Sequence, residues 1–245
     1  MHLRLCLCAD LRPLDLATRV VVISSTREIP QPTNTGRLVP LTISGGEVRV
    51  RGGSEALRTS DLADPARRTL LLFPAPGARV LSSADAGERP ITLVVPDGTW
   101  RAARRMAARE PALAAFERVC LPAGPPSRYR LRSHPDAACL ATFEAVARAL
   151  GILEGRAVQD ELERAFALMV ERTLFSRGRL RAASVTGGIP GSARLRPGSG
   201  SFEPSEGSFE PSEGEEKKRK SQAGAWRSRE SYSGRLVTRA EPSSS

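Results

Sequence analysis

The sequence predicts an α/β domain built on a mostly parallel sheet flanked by helices, followed by a disordered C-terminal tail. Three observations carry that expectation. The runs RVVVI, TLLLF and ITLVV are short, rich in Val, Ile and Leu, and bounded by Pro, Gly, Ser or Asp, as strands buried on both faces are. Helix-like stretches follow them, and alternation of the two element types favours parallel pairing. The composition then shifts to Ser, Gly, Pro, Glu and Arg near residue 180.

Val20 to Ile23, Leu70 to Phe73 and Ile91 to Val95 are the expected central strands. The expected helices cover Thr99 to Glu110, Leu140 to Leu150 and Ala157 to Leu174. In the last of these, Val158, Leu162, Ala165, Phe166, Met169 and Val170 recur at helical spacing and form a core stripe, with Asp160, Glu161, Glu163 and Arg164 outside it. Residues 1–180 thus read as one domain and residues 181–245 as a low-complexity tail. In the tail GSFEPSE occurs twice in succession and EEKKRK follows, a composition with too little apolar surface to offset the cost of ordering. The basic run there reads as a solvated charge cluster or as added nucleic-acid affinity.

The chain carries a formal charge of +10, most of it outside the tail. A basic folded domain concentrates polyanions around itself, which points to nucleic acid as a partner, although an arginine-biased composition explains the same count. Cys6, Cys8, Cys120 and Cys139 lack the dense, regular spacing of a secreted disulfide framework, so a reducing cytoplasm is the expected location. No apolar stretch approaches the roughly 20 residues of a membrane span. Neither a membrane nor a stable protein partner is expected. P-loop, GxGxxG and GxSxG patterns are absent from the sequence, which removes the usual support for nucleotide hydrolysis, dinucleotide binding and serine hydrolysis.

Four segments join a strand-like run to a polar or glycine-containing turn, the edge at which open α/β sheets bind ligands. In TREIPQPTNTGRL, Thr33, Asn34 and Thr35 supply donors and capping oxygens, Gly36 permits close approach, and Arg37 can fork onto a phosphate or carboxylate; an ordinary capped turn reads the same way. In LLLFPAPGA, Phe73 and Pro74 open a rigid turn with unpaired carbonyls. In ITLVVPDGTWRAARRM, Asp97 follows a buried strand, where it can orient a base or merely cap the helix. Thr99 and Trp100 open that helix, and Arg101, Arg104 and Arg105 either track phosphates or form a solvated stripe. In YRLRSHPDAACLATFEAVARAL, a short strand is expected to end at Arg132, and Thr142 with Glu144 fall in the first turn of a helix. Arg132 can hold a carboxylate, while His134 reads as a solvent-facing loop residue.

Taken together, CLCA, TRE with TNTGRL, LLFP, DGTW and LRSHP with CLATFEA resemble, in order and spacing, the DTW-domain family over about residues 5–150. The resemblance implies a SPOUT-like fold with a knotted S-adenosylmethionine (SAM) pocket. It also implies transfer of the 3-amino-3-carboxypropyl group of SAM, as co-substrate, to N3 of a uridine in tRNA. A SAM-dependent RNA methyltransferase and a noncatalytic RNA-binding module are the alternatives. Carried over by position, Asp97 is the catalytic residue, and Phe73, Pro74, Thr99, Trp100, Arg132, Thr142 and Glu144 hold SAM. Asn34, Thr35, Arg37, Arg101 and Arg104 meet the RNA. Relatives often place a CxxC before the CxC in a zinc-like cluster; here Cys6 and Cys8 are too few for four ligands, so no metal residue is assigned. Ser25 and Thr26 replace a usual His-Pro, and Ala141 replaces a usual Ser.

Overall fold

A computed structural model describes residues 6–53, 57–87, 89–132 and 139–189. The strands are β1 (Arg19–Ser25), β2 (Glu47–Arg51), β3 (Arg68–Leu72), β4 (Arg79–Val80), β5 (Ile91–Asp97) and β6 (Glu117–Cys120). They form one sheet in the order β2-β1-β5-β3-β6-β4, and every pairing within it is parallel. The helices are α1 (Val39–Thr42), α2 (Trp100–Arg109), α3 (Pro111–Ala114), α4 (Thr142–Leu153) and α5 (Arg156–Ser176).

The three apolar runs are the middle of the sheet. β1 and β5 lie side by side with their interiors fully buried, which is why they read as continuous Val/Ile/Leu runs rather than as alternating ones. Their side chains still divide by parity. Val20, Val22, Leu70, Leu72, Leu93 and Val95 face a core completed by α4 and α5, with Phe143, Leu150, Leu162 and Phe166 among its members. Val21, Ile23, Leu71 and Val94 face the opposite layer, closed by Ala103, Met106 and Ala107 of α2 and by Leu113 of α3. The result is a three-layer α/β arrangement. At roughly 1.5–3 kcal/mol for each fully buried apolar side chain, either layer alone supplies a large part of the drive to fold.

Three strands escaped the sequence reading. β2, EVRVR, is an edge strand whose charged residues are held by ion pairs: Arg49 and Arg19 both meet Glu47 and Asp61. The opposite edge has a similar device, in which Arg68 and Arg79 both meet Asp85 and Glu117. The short strand expected to end at Arg132 does not form, because residues 121–132 carry no strand. The Arg128 and Tyr129 amides donate to the Glu144 carboxylate and the Ser127 hydroxyl instead of to a neighbouring strand. The expected helices start and stop within a few residues of α2, α4 and α5. No helix among the described residues is long and apolar enough to cross a membrane.

Candidate functional site

The parallel register sets Ser24, on β1, opposite Asp97, the last residue of β5. Asp97 is 3% exposed, and three neutral donors converge on it. Ser24 Oγ (2.7 Å) and Asn34 Nδ2 (2.9 Å) donate to Oδ2, and Thr142 Oγ1 donates to Oδ1 at 2.6 Å. One carboxylate thereby ties together β1, the loop after β1 and the start of α4. Asn34 is fixed in turn: its amide nitrogen also donates to the Glu28 carbonyl (3.2 Å), and its Oδ1 accepts from the Arg37 amide at 3.2 Å.

Glycine is needed at two points of this junction. A Cβ on Gly36 would stand 3.1 Å from Val22 Cγ1 and 3.3 Å from both Asn34 Oδ1 and the Asp97 carboxyl carbon. Gly98 has φ +146°, which lets the chain leave β5 sharply and enter α2. Thr99 then caps α2 by accepting from the Ala102 amide at 3.3 Å.

At the start of α4, Ala141 has no side chain with which to cap the helix. The capping comes from elsewhere. Thr35 Oγ1 accepts from the Phe143 amide (3.2 Å), and Glu144 accepts from the Ala141 amide at 3.0 Å. The loop that carries Asn34 therefore also seats the helix that carries Thr142.

A cavity of about 670 Å³ opens at these carboxyl ends; Asp97, Thr99, Trp100 and Arg101 line one part of it, and Glu28, Thr33, Thr35, Tyr129, Arg132 and Thr142 are among the residues that line another. Such a volume lies within the roughly 300–1,000 Å³ of small-molecule sites, and the position is the one at which open parallel sheets bind ligands. Arg132 donates from Nη2 to Glu28 Oε1 (2.6 Å) and from Nε to Thr33 Oγ1 (2.8 Å). The Tyr129 hydroxyl donates to the Thr33 carbonyl, and burial pushes the phenol up, so it stays a donor at neutral pH.

Of the sequence-derived candidates, Asp97, Thr99, Trp100, Arg132, Thr142, Thr35 and Arg101 meet around this cavity, and Asn34 lies directly behind Asp97. Phe73, Pro74, Arg37 and Arg104 are not part of the lining. Phe73 packs behind Trp100 instead, with ring centroids 5.6 Å apart. Arg104 lies on α2, one turn beyond Arg101, and is exposed. Glu144 faces a second hollow of about 420 Å³, and its carboxylate accepts from the Ser127 hydroxyl and from the Arg128 and Ala141 amides. The sequence reading passed over Ser24, Glu28 and Tyr129. Position at the end of a buried strand was a signal for Ser24; the other two depend on partners far away in the chain. His134 lies outside the described residues.

Cys6 is half-buried and Cys8 exposed. The Cys8 amide, close to Cys6 Sγ at 3.5 Å, holds the Cys6 thiol below its ordinary value. Among the described residues no three His, Cys, Asp or Glu groups gather into a metal site.

The DTW domain matches residues 1–174 of the chain. The chain belongs to the DTW-domain family. Over 149 residues it is 32% identical to a Drosophila melanogaster protein named tRNA-uridine aminocarboxypropyltransferase 2, covering 59% of each. Over 170 residues it is 30% identical to the Mus musculus protein of the same name, covering 66% of this chain and 57% of that one. The alignments therefore span under two thirds of these curated relatives. A solved SAM-dependent rRNA:acp-transferase from Vulcanisaeta distributa aligns with 71% of this DTW-domain chain and 88% of its own, at 18% identity and a TM-score of 0.41, a likeness too loose to argue from.

Proposed function

We propose that this DTW-domain protein transfers the 3-amino-3-carboxypropyl group of SAM to N3 of a uridine in tRNA, forming acp3U in the cytoplasm. The observation that carries the reading is the cavity around Asp97, lined from the TRE and TNTGRL, DGTW, LRSHP and CLATFEA segments. The names of the relatives supply the substrate class. SAM brings its own activation, because its sulfonium is already a leaving group. Uridine N3 attacks the γ-carbon of the methionyl chain and the carbon–sulfur bond breaks. Its electron pair returns to sulfur, methylthioadenosine leaves, and the N3 proton passes to an acceptor or to solvent.

The protein's task is then orientation. Trp100, braced by Phe73, offers a face for a flat ring, and Thr99 and Thr142 offer hydroxyls beside it. Asp97 orders the junction and meets the incoming base. Arg132 receives the α-carboxylate of SAM. Arg101 at the cavity, with Arg104 and Arg105 exposed one turn further along α2, gives the RNA backbone a track. The family likeness further supports a SPOUT-like arrangement of the pocket.

The test is incubation of the protein with SAM and unmodified tRNA, followed by mass analysis of the nucleosides. A uridine heavier by one aminocarboxypropyl unit is expected. A uridine heavier by a methyl group overturns the reading in favour of a methyltransferase, and unchanged nucleosides in protein that binds tRNA but not SAM favour a noncatalytic module.

A further inference from the structure

Glu28 is a carboxylate in an unexpected place. It comes from the loop after β1, lines the cavity and is only 8% exposed. Taking a carboxylate out of water is costly unless a cation or several donors face it. Here the cation is Arg132, 2.6 Å away from a segment more than a hundred residues further along the chain. The guanidinium is about a third exposed and also lines the cavity. Thr33 accepts from its Nε, and the Tyr129 hydroxyl fixes the backbone of Thr33. The cavity wall therefore presents a negative and a positive group side by side, held in place by neutral neighbours.

A single ligand charge is poorly served by such a wall, since whichever member it approaches, the other repels it. A ligand bearing both an ammonium and a carboxylate on one carbon is served well, because each of its charges meets the opposite one. The aminocarboxypropyl end of SAM is such a group. Asn34 links the wall to the reaction centre: its Nδ2 donates both to the Glu28 carbonyl and to the Asp97 carboxylate. Glu28, Arg132 and Asp97 line the same cavity, and the main chain of Glu28 is tied to Asp97 through this one amide.

We infer that Glu28 is a specificity-determining residue that binds the α-ammonium of the SAM methionyl chain, as the partner of Arg132, and so decides which carbon of the sulfonium faces the nucleophile. The inference rests on the transferase reading. It adds a consequence: the group held by this pair leaves with the RNA and not with the nucleoside. Loss of Glu28 therefore weakens binding of SAM and spares binding of methylthioadenosine, which has neither charge.

Calorimetry on the full-length protein and on Glu28→Gln tests this with SAM and methylthioadenosine as ligands. The dissociation constant for SAM is expected to rise about ten-fold, the usual weight of one charge-assisted hydrogen bond, while that for methylthioadenosine stays within about two-fold. An equal loss for both ligands, or no loss for SAM, overturns the inference. A variant-free arm covers a Glu28→Gln protein that does not fold: a SAM analogue with a hydroxyl in place of the α-amine is expected to bind wild-type protein about ten-fold more weakly than SAM, and equal binding overturns the inference. Wild-type protein that takes up neither SAM nor methylthioadenosine sinks the transferase reading itself, and Glu28's role with it.

Discussion

Replacing Asp97 with Asn isolates the charge at the junction while keeping its shape. Asp97 accepts from Ser24, Asn34 and Thr142 at 2.6 to 2.9 Å, and the residue is 3% exposed. In Asp97→Asn the remaining oxygen can still serve Ser24 and Asn34, and the Thr142 hydroxyl can turn to accept from the new amide. No buried donor is orphaned. What changes is charge assistance, worth about 1 kcal/mol for each bond, or about 3 kcal/mol for the three. Burial of a neutral amide instead of a carboxylate returns part of this, leaving a loss of about 2 kcal/mol. Urea denaturation followed by circular dichroism reads the loss as a lower midpoint at unchanged slope. Single-turnover transfer to tRNA is expected to fall at least ten-fold, since the anchor shared by three converging segments loses its charge at the reaction centre. A midpoint equal to or above that of the wild type refutes the anchoring role, and full single-turnover activity refutes the role at the reaction centre.

Gly36→Ala tests the same junction by volume: its Cβ would crowd Val22, Asn34 and the Asp97 carboxyl carbon at 3.1 to 3.3 Å, so a loss of about 1 to 2 kcal/mol is expected in the same denaturation assay. Changing Arg101, Arg104 and Arg105 together to Gln is expected to weaken tRNA binding and to flatten its dependence on salt, by about one unit of slope for each phosphate no longer neutralised, as filter binding across a salt series measures. Acid stability follows from Asp85, whose carboxyl is held at about 2, from an ordinary 3.8, chiefly by the hydrogen bond from Arg79. Because the folded-state value is the lower one, this contribution is fully present above about pH 4 and is lost as pH falls through about 2. Thermal melts of Asp85→Asn across that window are expected to show a flatter pH profile than the wild type.

The central strands were legible because burial on both faces leaves an apolar run with little else to explain it. β5 and β1 are such runs, and the polar residues that end them, Asp97 and Ser24, mark the site. β2 was illegible because it has little apolar content of its own and the partners of its charges, Arg19 and Asp61, lie in other segments. A short strand was expected to end at Arg132, yet the amides entering that segment are taken by the side chains of Glu144 and Ser127, which the local sequence does not reveal. Within the site, Asp97, Thr142 and Arg132 could be named from local context. Glu28 could not, because its meaning depends on an arginine 104 residues away. Glu144 showed the converse: a carboxylate in a family segment whose oxygens are taken up in holding Ser127 and two backbone amides.

The charge clusters at the two margins of the sheet bear on how the chain behaves before it meets any substrate. An outermost strand offers unpaired amides and carbonyls to whatever strand comes next, and two molecules can join there edge to edge. At each border of this sheet, two guanidinium groups and two carboxylates sit close to that seam. A second molecule has to strip water from those ions before it can add a strand, and concentrated salt or strong acid weakens that barrier. The fold thus protects itself against fibrous self-association through the same residues that hid β2 from a reading of its sequence.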